Sequence, residues 1–429
     1  MNTITNISFI DLFAGLGGIR LGFEQAASEL GLKSKCVLTS EIKPSAIEAL
    51  HHKHPEEEIA NDVRNVFVKD MKDTFDVVLG GFPCQAFSVA GKGMGFMDTR
   101  GTLFFEIERI LKKYQPKAFL LENVRGLYTH DGGRTFETII EKLHDLGYGT
   151  TDLVLNSSDF GVPQNRVRLY ILGILGATPK TTLVTSYGSA DSHAFKRKLT
   201  DENEAGVCTV GDILETDVPE EYYCTERFTE QLHSVVGDDL SVLHGYRLID
   251  YRGGQSLHSW ELGTKGKCTA AEIEFMNLLI QNRRKHNFGI KQDGKKLTLE
   301  QIMTFYEKSD IDDVIASLIT KGYLKCEDGK YNPVCGNMSF EVFKFLDPDS
   351  ISITLTSSDC NRLGVIQNNR PRHITPRECA RIQGFPDSFV VNPDKAFAYK
   401  QFGNSVSVPV IEAVMSDFIE QNANILNWD

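Results

Sequence analysis

No apolar run in the 429 residues approaches the roughly 18–20 needed to span a bilayer, which sets a membrane-embedded protein aside. The amino terminus lacks a charged start followed by an apolar stretch and a cleavage site, so no secretory signal is visible and the cytoplasm is the expected compartment. The nine cysteines include no C-x-x-C pair and are odd in number; a disulfide framework and a zinc site are both disfavoured, and no metal is expected. Internal repeats and low-complexity segments are missing too. Nor is there an excess of positive charge: 46 Lys and Arg against 58 Asp and Glu leave a net charge of -12, which argues against non-specific nucleic-acid binding but leaves room for a local basic cleft. What is present is globular in texture, 41% hydrophobic and 24% charged, and at roughly 150 residues per domain the length suggests two or three domains.

Up to about residue 175, short apolar runs alternate with amphipathic helical patterns, the signature of an α/β protein with a doubly wound, Rossmann-like parallel sheet. The expected strands are Ile7 to Leu12, Cys36 to Ser40, Phe75 to Leu79, Ala118 to Leu121 and Arg168 to Leu172. Leu103, Phe104, Ile107, Ile110 and Leu111 share one helical face, as do Phe136, Ile139, Ile140, Leu143 and Leu146. Beyond Pro179 the alternation stops and a second domain is expected. There, capping boxes at Thr269 with Glu272, Thr298 with Gln301 and Ser309 with Asp312 announce helices. Residues Tyr323 to Cys326, an Asp328-Gly329 turn and Lys330 to Val334 read as a hairpin, so that 297–334 is winged-helix-like.

In an open parallel sheet, ligands bind beyond the carboxyl ends of the strands. The first strand runs into Phe13-Ala14-Gly15-Leu16-Gly17-Gly18, a turn that lets a ligand approach the backbone at a helix amino terminus. Glu41, at the end of the second strand, can accept hydrogen bonds from two ribose hydroxyls; Asp62 can accept one from an adenine amino group, although alone it would more often be a turn or helix cap. Together these suggest bound adenosine, in a dinucleotide or in S-adenosylmethionine. The next two strand ends decide: Pro83-Cys84-Gln85 puts a thiol on a Gly/Pro-shaped turn, and Glu122-Asn123-Val124 puts a carboxylate on the neighbouring edge, a pair for which hydride transfer has no use.

These blocks, with Gln164-Asn165-Arg166-Val167-Arg168, Arg377 to Asp387 and Gln401 to Val406, occur in the order and spacing of the cytosine-C5 DNA methyltransferases, which the chain resembles over roughly 5–175 and 350–415. The resemblance implies a catalytic domain over 1–178 and 398–429 and a small domain over 179–397, whose variable target-recognition part is about 180–352. It implies S-adenosylmethionine as cofactor, held by Phe13, Gly15, Gly17, Gly18, Glu41, Ile42, Asp62, Pro83 and Asn404. Cys84 would add to C6 of a flipped-out cytosine and Glu122 would stabilise the charge that develops on the ring. Arg166 and Arg168 lie two apart, so spacing cannot choose between them; the family pattern favours Arg168 beside the base. Ser88 to Gly101, with Ser88 and Arg100, resembles the family's mobile loop, and Thr354-Leu355 its DNA-facing Thr-Leu pair. Double-stranded DNA is the implied substrate. The protein is expected to act as a monomer, with a cognate restriction endonuclease in the same system.

DNA reading falls to the region the family does not fix. Residues 251–300 hold nine Lys or Arg and five acids, a local excess of four positive charges. Arg283, Arg284 and Lys285 are candidates for phosphate, and Arg252 and Gln255, in a flexible stretch, for base edges. A transfer-RNA methyltransferase shares the Cys and Glu chemistry but resembles a subgroup with a smaller recognition region; an inactive regulator would not need Pro83-Cys84-Gln85 and Glu122; a nicotinamide oxidoreductase would leave them unexplained.

Overall fold

The computed structural model describes residues 6–66, 74–83, 102–185, 208–289, 295–335 and 340–428. They form two compact units: Met1–Ile213 with Ile351–Cys360 and Pro376–Asp429, and Leu214–Ser350 with Asn361–Thr375. The boundaries expected near 178 and 398 are therefore displaced. Hydrogen bonds explain why: Asp417 accepts from Thr181 and Thr182, the backbone of Lys180 pairs with the Asn422 amide, and Gln383 is bonded to Gln164 and to the Phe402 carbonyl. Residues 180–185 and 376–397 thus belong to the sheet-bearing unit.

That unit is built on β1 (Asn6–Leu12), α1 (Gly18–Glu29), β2 (Lys33–Ser40), α2 (Pro44–Lys53), β3 (Ile59–Ala60), β4 (Val77–Gly81), α3 (Thr102–Tyr114), β5 (Ala118–Val124), α4 (Arg134–Asp145), β6 (Tyr148–Asn156) and β7 (Val167–Leu175). The strand order is β3-β2-β1-β4-β5-β7-β6. The pairs from β3 to β5 are parallel, as expected, but β7 runs antiparallel to both β5 and β6. Alternating side chains of β1 feed two cores. Ile7 and Phe9 join Phe23 and Ala26 of α1 and Val410, Ile411, Val414 and Phe418 of the helix Val408–Gln421. Ile10 and Leu12 join Phe104, Ile107 and Ile110 of α3 and Ile139 and Leu143 of α4, so the two predicted helical stripes are core. Gly22 permits the first contact: a Cβ there would meet Ile411 Cβ at 2.7 Å. The chain leaves β1 for β2 on one side and later returns to β4 on the other, which opens a crevice at the carboxyl ends of β1 and β4.

The second unit holds a five-stranded sheet and a separate helical core. In the latter, the helices Ala270–Asn282, Leu299–Met303 and Ile311–Thr320 pack with an antiparallel sheet of Leu297–Thr298, Lys330–Pro333 and Leu324–Glu327. The hairpin turns on Asp328 and Gly329, at φ 53° and 72°, the two positive values a tight two-residue connection requires. Reciprocal capping boxes form at Thr269/Glu272 and Thr298/Gln301. The box expected at Ser309 does not form, because Asp310 occupies the cap position of the helix Ile311–Thr320 and its side chain makes no capping bond. Among the described residues no helix is long and apolar enough to cross a membrane.

Candidate active site

The crevice is shaped by the turn that follows β1. Phe13, Gly15 and Gly17 all adopt positive φ (58°, 56° and 73°), a region that costs little for glycine but is strained for phenylalanine. Gly17 caps α1, and its amide donates to the Ala14 carbonyl at 2.7 Å. Glu41 lies under this turn: Oε2 accepts from the Gly15 amide, and Oε1 from the amides of Ile42 and Lys43, each at 2.8 Å. Sequence reasoning assigned Glu41 to a ribose; the structure adds that it braces the glycine turn. Ile42 is 60% exposed, an apolar surface left open beside it. Asp62 caps the short turn Val63–Asn65 through the Arg64 amide and pairs with the Arg64 guanidinium at 2.6 Å, which holds its carboxyl below the usual carboxylate range.

A cavity of about 450 Å³ lies against the turn. Phe13, Gly15, Gly18, Glu122 and Asn404 line it, as do Gly81 at the end of β4 and Ser405 and Val406. Glu41, Ile42, Asp62, Gly17 and Pro83 are not among its lining residues. Its far wall was not anticipated: Ser357 and Ser358 come from the 351–360 segment, and Phe397, Lys400 and Gln401 from the helix Lys395–Asn404. Only the last of these lies inside a block that marked the site in sequence.

Where β4 and β5 end side by side, Gly81 is paired with Glu122. Burial pushes the Glu122 carboxyl above its ordinary range, and the charges of Arg168 and Arg166 pull it part of the way back. Arg168 Nε stands 3.3 Å from Glu122 Oε1. Arg166 is occupied elsewhere: it donates to the carbonyls of Leu355 and Ser405 while its own amide donates to Asn156 Oδ1 at 2.8 Å, and burial lowers its guanidinium to about 10. The two arginines that spacing could not separate thus divide into one beside the carboxyl and one that clamps backbone. Asn123 was overlooked, although it sits in the same block as Glu122. Its Nδ2 donates to the Phe82 carbonyl at 3.0 Å and its Oδ1 accepts from the Val124 amide at 2.8 Å, so it fixes the chain as it enters Pro83. Cys84, Ser88, Arg100 and the loop containing them lie outside the described residues.

A buried carboxyl paired with arginine at the β4/β5 edge, above a glycine turn, is an arrangement that comparison with known proteins can identify. The family model of C-5 cytosine-specific DNA methylases matches residues 7–420. The chain belongs to that family. The methylase is 60% identical to the Type II methyltransferase M.BanI of Aneurinibacillus aneurinilyticus, over 98% of this chain and 97% of the relative. It is 57% identical to M.HgiCI of Herpetosiphon aurantiacus, over 96% and 98%. The solved structures of Entamoeba histolytica methyltransferase EhMeth and S. pombe Dnmt2 share its fold, at TM-scores of 0.55 and 0.53, 16% and 17% identity, with 97% and 96% of this chain and 98% of each of theirs covered.

Several DNA-reading candidates of the methylase are placed by the second unit. Tyr251 to Gln255 are exposed, with Arg252 stacked over Tyr251 and Gln255 Nε2 3.5 Å from the His244 carbonyl; the following His258, Ser259 and Trp260 are buried. Lys285 is exposed and Arg284 half-buried. Arg283 corrects its expectation: at 4% exposure, with its guanidinium donating to Asn332 Oδ1 at 2.8 Å, it is a packing residue and cannot reach a phosphate from there. In the first unit, Thr354 donates its hydroxyl to the Asn165 carbonyl at 2.6 Å.

Proposed function

We propose that the methylase transfers a methyl group from S-adenosylmethionine to C5 of a cytosine flipped out of a short duplex site, through a covalent adduct of Cys84. The observation that carries this reading is Glu122, buried, raised and paired with Arg168 at the edge of the cavity. The cavity suits the cofactor: its volume falls in the range of small-molecule sites, Phe13 offers an aromatic wall, and the turn presents backbone at a helix start. Glu41 has three of its roughly four lone-pair sites filled by amides, leaving one for a ribose hydroxyl. Asn404 and Gly18 close the opposite side, Ile42 flanks the adenine, and Asp62 meets the adenine amino group by turning from Arg64. When bound, S-adenosylmethionine supplies an electrophilic methyl group.

Cytosine C5 is a poor nucleophile until C6 has been attacked. Cys84, losing its proton, forms a bond to C6; Glu122, beside Arg168, hydrogen-bonds N3 and the exocyclic amine, so that negative charge on the ring is met. Arg168 keeps Glu122 in place and faces the base carbonyl. C5 then takes the methyl group, the electrons of the broken sulfur–methyl bond staying on the cofactor's sulfur; C5 loses its proton, the electrons of that bond restore the C5–C6 double bond, and Cys84 leaves with the electrons of the C6 bond. Extruding the base costs a few kcal/mol, repaid by contacts on the flipped nucleotide.

The relatives' designation as Type II methyltransferases supports a place in a restriction-modification system, protecting DNA from a partner endonuclease. Arg252 and Gln255 read base edges, Arg284, Lys285 and Thr354 hold the backbone, and the winged-helix-like stretch braces the unit, because the exposed side of the helix Ile311–Thr320 carries Asp312 and Asp313. The test is incubation of the full chain with DNA and labelled S-adenosylmethionine. Cys84→Ser is expected to abolish transfer while cofactor and DNA binding persist, and 5-fluorocytosine in the mapped site is expected to trap a covalent complex. Substantial transfer by Cys84→Ser would sink the mechanism.

A further inference from the structure

In the second unit, well separated in sequence from the residues assigned to transfer, Cys224, Glu341 and His373 bring one sulfur, one carboxylate oxygen and one ring nitrogen within 4.8 Å of one another. Each is positioned by its own segment. Cys224 is buried, its amide donates to the Pro371 carbonyl at 3.0 Å, and Tyr223 bridges to Arg372, so the residue is laid against the strand Arg370–His373 just before the helix Glu226–Val236 begins. Thr225, the cap of that helix, donates its amide at 3.0 Å and its hydroxyl to the two carboxylate oxygens of Glu341, which turns the carboxylate toward Cys224. His373 Nδ1 lies 2.9 Å from the Asn361 carbonyl. A carbonyl only accepts, so Nδ1 carries the proton in this bond, which fixes the ring; backbone carbonyls orient metal-binding imidazoles in this way.

We propose that Cys224, Glu341 and His373 form a zinc-binding site. A thiolate, an imidazole and a carboxylate are the donors that zinc takes, and three protein ligands leave the fourth position to water. Tetrahedral ligation at about 2.0–2.3 Å would place the donor atoms about 3.3–3.6 Å apart, so side-chain movement of roughly an ångström closes the site. Cys224 releases its proton to solvent as the sulfur takes the metal. The bound ion would tie together the start of the helix Glu226–Val236, the segment before the strand Lys344–Phe345, and the end of the Leu363–Gln367/Arg370–His373 hairpin. Ligands 117 and 32 residues apart (341 − 224 and 373 − 341) leave no local spacing motif, which is why the cysteine pattern argued against zinc.

The test uses the full chain, stripped with chelator and titrated with cobalt(II) and then zinc(II) salts, with Cys326 and Cys335 replaced by Ser to remove two exposed thiols. One equivalent of cobalt should bind with a thiolate-to-metal charge-transfer band that zinc abolishes. The band should vanish in Cys224→Ala, and affinity should fall about tenfold or more in His373→Gln and Glu341→Gln. Saturating zinc should raise the Tm by about 5 °C in the parent and not in Cys224→Ala. Where a variant does not fold, X-ray absorption of the zinc-loaded parent decides: one sulfur among nitrogen and oxygen scatterers supports the site. Absence of stoichiometric uptake, a band that persists in Cys224→Ala, or a sulfur-free or multi-sulfur shell would overturn it.

Discussion

Asn123 offers the sharpest test of how the strand ends serve the chemistry. Its side-chain amide is buried and bonds in two directions, to the Phe82 carbonyl and from the Val124 amide. In Asn123→Asp the acceptor is kept and the donor lost, so a buried carbonyl is left facing a carboxylate oxygen. Leaving one buried group unpaired costs about 1–3 kcal/mol. Phe82 stands two residues before Cys84, so much of that cost is expected as misplacement of the nucleophile. If it falls wholly on the barrier, at 1.36 kcal/mol per tenfold, kcat drops by roughly 5- to 150-fold. Gly81, next to Phe82, lines the cofactor cavity, so cofactor affinity has to be measured beside the rate to separate misplacement of Cys84 from loss of binding. Single-turnover transfer of labelled methyl, with calorimetry of cofactor binding and a melting curve for each variant, separates these effects. Asn123→Ala should fall in rate as well, and Asn123→Gln should not restore it, because one added methylene moves the amide off both partners. A lowered Tm with unchanged kcat would show that Asn123 only braces the sheet.

Three further outcomes are expected. Glu41→Ala removes the acceptor of three backbone amides and should weaken S-adenosylmethionine binding by about 1–3 kcal/mol, read by calorimetry; unchanged affinity would take Glu41 out of the cofactor site. Lys285→Ala should weaken binding to every duplex and reduce the salt slope by about one, whereas Arg283→Ala should lower stability and leave that slope alone; Arg252→Ala and Gln255→Ala should relax discrimination at particular base pairs in methylation of single-base variants of the site. Asp11 is buried with neither carboxylate oxygen hydrogen-bonded, and burial raises it from 3.8 to about 7. The folded chain therefore keeps a proton that the unfolded chain has lost, so this stabilisation is full below about pH 4 and fades as pH rises toward 7, by about 4 kcal/mol in all. Urea midpoints between pH 5 and 8 should fall less steeply in Asp11→Asn; parallel curves would refute the assignment.

The readable parts of this chain were those where local chemistry and fold agree. Five strands, two helical stripes and the residues at the strand ends follow from apolar runs broken by Gly, Pro and acids. β6 escaped notice because Gly149, Thr150, Thr151 and Asp152 interrupt its apolar pattern, and the reversed direction of β7 leaves no mark on its sequence. Ser357, Ser358, Phe397 and Lys400 reach the cavity through tertiary folding alone, and no spacing rule connects them to Phe13. Arg283 looked like a surface cation because three basic residues in a row usually are solvated; burial against Asn332 is a fact of packing. Spacing alone left Arg166 and Arg168 equivalent, the family pattern favoured Arg168, and it is Arg168 that stands beside Glu122.

The helix Val408–Gln421 completes the apolar face begun by Ile7, Phe9 and Phe23, and this has a consequence for synthesis. On the ribosome, the first strand and helix emerge long before the segment that covers them. At roughly 5–20 residues per second the interval is on the order of tens of seconds to a minute, during which Phe9, Phe23 and Ala26 have no permanent cover. A nascent methylase is thus an aggregation hazard until the helix Val408–Gln421 is released, and a message truncated before Val408 would yield a sticky polypeptide in place of a weakened enzyme.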